Sequence, residues 1–205
     1  MRQQSGGAKY HRLSLGSVLY VLLISGCSTV APVVPYPGGI APPRTIAVLP
    51  LANETNSVTG ARMMRKYMHE NLLDKGYIAL DREEIDQILS DRFGISLGEQ
   101  ITVNLIPEIG KALKVDAVVT GVAKKFTRMD FFQNKIELEA TFTIHEIETG
   151  NGLWHFQAYG ASPIFADQKQ AQVNPFYKNL FCAIPTGAAP QQPVYLPYKR
   201  NCPAR

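Results

Sequence analysis

The stretch Asn134–Ile147 alternates more cleanly than any other part of this 205-residue chain. Ile136, Leu138, Ala140, Phe142 and Ile144 hold one parity; Glu137, Glu139, Thr141, Thr143 and His145 hold the other. Successive side chains of a strand point to opposite faces, so the run predicts a strand with one buried and one polar face. Glu148-Thr149-Gly150-Asn151-Gly152 supplies a turn, and Leu153–Tyr159 reads as the returning strand. The fold must therefore place a helical layer against the apolar side of an antiparallel pair.

The preceding residues supply that layer. Thr45–Leu51 is nearly all apolar and reads as a buried central strand. After the polar turn Asn53–Ser57, Ala61, Met64, Tyr67, Met68 and Leu72 recur at helical spacing up to Gly76, which suits a helix stop. Tyr77–Leu80 is a short strand. Asp81-Arg82-Glu83-Glu84 has the form of a capping box, followed by the apolar face Ile85, Ile88 and Leu89 and a stop at Gly94. Pro107–Lys114 predicts a short helix with Pro107 in its first turn, and Asp116–Phe126 a third strand, apolar on both faces. The order β-α-β-α-α-β-β-β implies one α/β (α+β) domain over 44–162, a mixed sheet with helices packed on one face. Its expected core joins Leu138, Phe142 and Ile144 to Met64, Met68, Ile88 and Val118. Residues 163–205, rich in Pro and Gln, read as an irregular tail.

The N-terminus says where the chain works. Arg2, Lys9 and Arg12 precede the uncharged run Leu13–Gly26, which is too short for a good membrane span and has the form of a signal peptide over 1–26. It ends Ile24-Ser25-Gly26-Cys27, which resembles the lipobox of bacterial lipoproteins. That resemblance implies diacylglycerol on the Cys27 sulfur, cleavage before it and acylation of the new amine. Ser28 resembles the outer-membrane-sorted class, so the expected location is the periplasmic face of the outer membrane. Residues 28–43, with five prolines and Gly38-Gly39, form a tether that reaches roughly 50 Å as polyproline II. Removing Arg2, Lys9 and Arg12 from 21 basic against 17 acidic residues leaves an excess of one, so the basic pI is no argument for nucleic acid. Cys182 and Cys202 remain as an even pair; in an oxidising compartment a disulfide is favoured over two free thiols.

Arg44–Leu51, Asp81–Leu89 and Ile109–Gly121, with Thr149-Gly150 followed by Trp154, form a recognisable series. They resemble the periplasmic domain of outer-membrane lipoproteins related to the curli secretion channel. The same pattern occurs in lipoprotein activators of peptidoglycan synthases and in uncharacterised bacterial lipoproteins. The resemblance implies a non-enzymatic module that docks or assembles with an envelope protein of a secretion or wall-building complex, with homo-oligomers left open. Curli-type channels insert two long hairpins. Here about seven residues, Thr127–Gln133, separate the third and fourth strands, against about nine to eleven for each membrane strand. A channel-forming subunit is therefore the second reading.

No H-E-x-x-H, C-x-x-C or P-loop occurs, and no catalytic residue, metal ligand or cofactor is assigned. His69-Glu70 reads as a solvated helix face. His145 and His155 read as a cross-strand polar pair rather than a zinc site. Asp81, Glu83, Glu84 and Asp86 favour the positive helix end. Lys124, Lys125 and Arg128 alternate with Phe126, Phe131 and Phe132; they form either a partner-binding loop or a solvated hairpin tip over core aromatics.

Overall fold

The computed structural model describes residues 41–128, 135–163, 175–187 and 202. Cys27, its leader, the tether up to residue 40, Phe131 and Phe132 lie outside the described residues, as does the Arg128 side chain. The elements are β1 (Thr45–Val48), β2 (Ala52–Asn53), α1 (Val58–Asp74), β3 (Ile78–Ala79), α2 (Arg82–Phe93), α3 (Ile106–Leu113), β4 (Ala117–Arg128), β5 (Lys135–Glu146), β6 (Gly152–Pro163) and α4 (Pro175–Ala183). They build one mixed sheet in the order β3-β1-β4-β5-β6, with β2 also paired to β4. β3, β1 and β4 run parallel, as do β2 and β4; β4, β5 and β6 form an antiparallel meander.

Local chemistry sets the boundaries. Ser57 Oγ accepts from Gly60 N at 3.1 Å and opens α1. Asp81 Oδ1 accepts from Glu83 N and Glu84 N at 3.0 and 3.2 Å and opens α2, which Gly94 closes at φ 64°. The strand expected over Thr45–Leu51 breaks around Pro50, which has no amide to give the ladder, and resumes as β2. The returning strand, expected to end at Tyr159, extends to Pro163 as β6.

The helices lie on both faces of the sheet, which corrects the one-face expectation. Ile46 and Val48 pack with Met64, Met68 and Leu72 of α1; Ala47 and Leu49 pack with Ile85 and Leu89 of α2 and Ile109 and Leu113 of α3. The physical reason is the winding. The chain steps from β1 to β3 in one direction, then reverses past β1 to reach β4. Parallel crossovers keep one hand, so reversing direction moves the helix to the opposite face. Leu138, Phe142, Ile144, Met64 and Met68 share the larger core; Val118 belongs to the smaller one, with Ile88 packed against it.

The stretch expected as an irregular tail contains α4, and α4 completes the larger core. Phe176, Tyr177, Leu180 and Phe181 are buried, with Tyr177 edge-on to Tyr67 at 5.6 Å between ring centres. Tyr177 Oη donates to Asp74 at 3.0 Å, Trp154 Nε1 donates to the Ala183 carbonyl at 3.1 Å, and Lys75 Nζ lies 4.2 Å from the Phe181 ring centre. Cys182 and Cys202 are joined by a disulfide, Cα–Cα 5.4 Å.

Candidate functional site

α2 and α3 cover β1 and the start of β4. Farther along, the same side of β4, β5 and β6 carries no described helix. Alternation places Glu137, Glu139, Thr141 and Thr143 on that side of β5, with Gln157 and Tyr159 opposite Thr141 and Glu139 on β6. Tyr159 is 49% exposed. The result is a largely polar face, with Val122 of β4 set in it opposite Thr141, across three twelve-residue strands.

Of the predicted contact residues, Lys124 and Lys125 sit at its distal end. The ladder shifts between Ala123 and Lys125, so Lys124 is the extra residue of a bulge and exposed, while Lys125 regains the open face. Lys125 Nζ meets Glu137 Oε2 at 2.7 Å, which holds the Glu137 carboxyl below its ordinary range and raises the ammonium. Phe126 points the other way, against Gly60 of α1, and packs on the larger core. The structure thus separates these residues: Lys125 faces outward, and Phe126 is a core aromatic.

At the head of the face lies a cleft of about 240 Å³. Its floor includes Thr120, Thr141, Thr143, His145 and His155; its wall includes Pro50, Ile101, Val103 and Ile106. His145 is 6% exposed. Its Nδ1 lies 2.9 Å from the Gly150 carbonyl oxygen and its Nε2 2.8 Å from Thr120 Oγ1. A carbonyl only accepts, so Nδ1 carries the proton and Nε2 accepts from the Thr120 hydroxyl. Burial lowers the His145 pKa, partly opposed by the bond to Gly150. His145 therefore joins β4, β5 and the β5–β6 turn as a neutral ring. His155 Nδ1 lies 2.9 Å from Thr143 Oγ1, in register with it, whereas His145 stands opposite Gly152. The two histidines are not the direct cross-strand pair the sequence suggested, because the β5–β6 register sets Thr143, not His145, opposite His155; each histidine partners a threonine instead.

Two further readings change. His69 is half-buried, its Nε2 donating to the Leu80 carbonyl at 2.9 Å, and desolvation lowers its pKa; it is not a solvated side chain. Asp86 pairs with the buried Arg65 at 2.6 Å, and Arg65 Nε also donates to the Val48 carbonyl at 2.9 Å. Desolvation lowers the Arg65 pKa against the opposing pull of Asp86. Position 65 lies on the apolar stripe of α1, four residues after Ala61 and three before Met68. An arginine there was the available sign of a buried pair. Among the described residues no group of three or more His, Cys, Asp or Glu is placed to hold a metal, and no helix is long and apolar enough to cross a membrane.

No protein-family model matches the chain, and no curated protein matches it. Solved structures do. Lipoprotein GNA1162 from Neisseria meningitidis is similar at 16% identity and TM-score 0.49, over 62% of this chain and 88% of that one. A PelC dodecamer from Paraburkholderia phytofirmans is similar at 12% identity and TM-score 0.49, over 79% and 96%. LpoB of E. coli is similar at 12% identity and TM-score 0.49, over 78% and 79%. Likeness at this level fixes neither a partner nor an activity.

Proposed function

We propose that this protein is a lipid-anchored, non-enzymatic docking module of the bacterial envelope, held at the periplasmic face of the outer membrane through Cys27. The observation that carries the reading is the open polar face of β4–β6, set on a domain that the sequence ties to a lipobox by sixteen Pro-rich residues. One side of this meander is committed to α1 and α4, and no described helix covers the other, which supports a partner-facing role for it. A sheet face with mixed hydroxyl, amide, carboxylate and aromatic groups has the composition of an interface rim around an aromatic contact.

The channel reading loses support from face chemistry rather than from length. Strands of twelve residues are long enough for a bilayer. A membrane barrel, however, needs one apolar lipid-facing side, and here the apolar side is packed under helices while Lys125, Glu137 and Glu139 occupy the other.

The test is site-specific photocrosslinking in intact cells from Thr141, Gln157 and Tyr159 on the open face, with Arg62 on exposed α1 as comparison. We expect one defined envelope protein from the open face and none from Arg62. Capture from Arg62 alone would overturn the assignment of the face. Reproducible conductance of porin-free protein in planar bilayers would replace docking with the channel reading.

A further inference from the structure

The cleft at the head of the open face has a chemistry that selects its occupant. At about 240 Å³ it falls below the roughly 300–1,000 Å³ of sites for drug-sized ligands, and it admits a single ring or side chain. Among the described residues, no Asp, Glu, Lys or Arg lines it. A guanidinium or carboxylate entering it would lose water without gaining a counter-charge, which is costly. The wall of Pro50, Ile101, Val103 and Ile106 offers apolar contact, and Val103 is 54% exposed.

The floor sets the polarity. The Gly150 carbonyl fixes the proton of His145 on Nδ1, so Nε2 takes the proton of the Thr120 hydroxyl. Thr120 Oγ1 then has only lone pairs left to offer the cleft. Gln100, Thr141, Thr143 and His155 also line the cleft and can donate or accept, so Thr120 is the lining group that requires a donor; a flat apolar body carrying one donor, as in tyrosine and tryptophan, meets it. Those residues are also the commonest uncharged anchors of protein interfaces.

We propose that this cleft is the anchor pocket for a tyrosine or tryptophan side chain of the envelope partner. The proposal rests on the docking reading above and names the contact by which that docking is held.

The test uses purified, isotope-labelled full-length protein in detergent, with the Cys182–Cys202 bridge intact, titrated with side-chain analogues. p-Cresol and indole should give saturable amide shifts at Thr120, Thr143, His145 and His155, while toluene, lacking the donor, binds several-fold more weakly. n-Butylguanidinium and methyl N-acetylglucosaminide should give none. Thr141→Phe, which fills the cleft, should abolish the p-cresol shifts and also the cellular crosslink from Gln157. If Thr141→Phe fails to fold, Val103→Asp tests the same point from an exposed position: p-cresol shifts should fall and guanidinium shifts should appear. Absence of saturable p-cresol and indole shifts overturns the proposal, as does a preference for the sugar or the guanidinium. Retention of the Gln157 crosslink in folded Thr141→Phe overturns the pocket while leaving the docking face in place. Loss of all open-face crosslinks in the wild type, with p-cresol still bound, refutes the docking reading and supports the pocket chemistry alone.

Discussion

Arg65 is the residue on which the two halves of the parallel layer depend. It lies on α1, bonds the end of β1 and is neutralised by Asp86 of α2. Its guanidinium is nearly enclosed, so removing the counter-charge leaves a buried cation. Asp86→Asn should cost about 3 kcal/mol, the lower end of the range for breaking a buried pair, because Val48 and Arg82 carbonyls still accept from Arg65. Urea denaturation measures this, and a loss under about 1 kcal/mol would mean that the pair is solvated. His145 gives a pH dependence. Its folded pKa is lowered from 6.5, so folded and unfolded chains are alike above that value. As pH falls below it, the unfolded chain takes up a proton that the folded chain refuses, and stability drops through the folded pKa. His69 acts in the same sense, and Glu70, raised by burial, in the opposite sense. Comparison with His145→Gln isolates the one group: the variant should lose less stability between about pH 7 and about pH 5. Equal losses would remove His145 from the account.

At the scale of elements, α4 is the piece that the sequence reading missed. Phe176, Tyr177, Leu180 and Phe181 recur at helical spacing, yet the prolines and glutamines around them dominate the composition of the tail. The spacing becomes meaningful only because β6 offers a surface for it. Gly160 is part of that surface: a Cβ there would lie 2.8 Å from Phe176 Cα. Backbone cannot yield as a side-chain end can, so Gly160→Ala should push α4 off the sheet and cost about 1–3 kcal/mol. Trp154, the only tryptophan, bonds the Ala183 carbonyl and reports the displacement by its fluorescence. An unchanged spectrum with unchanged stability would show that α4 docks elsewhere. The alternation of β5 was legible throughout, and Phe142 behaves as it predicts, fully buried and 5.6 Å from Phe156 between ring centres. Phe142→Ala should cost about 3–5 kcal/mol, measured by the same denaturation.

At the scale of the whole molecule, one covalent feature is shown, the Cys182–Cys202 bridge, and one is proposed, the lipid on Cys27. The bridge between Cys182 and Cys202 spans twenty positions and constrains the unfolded chain by about 3 kcal/mol. A Cys182→Ser, Cys202→Ser pair should lower the melting temperature accordingly without altering far-ultraviolet circular dichroism, since α4 has its own buried contacts. Loss of helical signal would make the bridge a condition for α4. Cys27 belongs to the anchoring proposal. Cys27→Ala should yield soluble or unprocessed protein, and mass spectrometry finding an unmodified Cys27 in the mature chain would refute lipidation.

The sequence by itself determined most of what depends on local periodicity, α4 excepted. The parity of β5, the caps at Asp81 and Gly94 and the double-sided burial of β1 follow from side-chain spacing and backbone preference within a few residues. The resemblance of Ile24–Cys27 to a lipobox is likewise read from four consecutive residues, and these lie outside the described residues. What tertiary structure decided are the relations between distant segments. Which face each helix covers follows from the reversal of winding around β1, a property of the path and not of any helix. The pairing of Arg65 with Asp86 and the seating of α4 on Gly160 depend on surfaces that exist only after the sheet forms. The cleft has the same origin: Thr120, Thr143 and His145 are polar residues on ordinary strands, and register alone brings them under Ile101 and Val103.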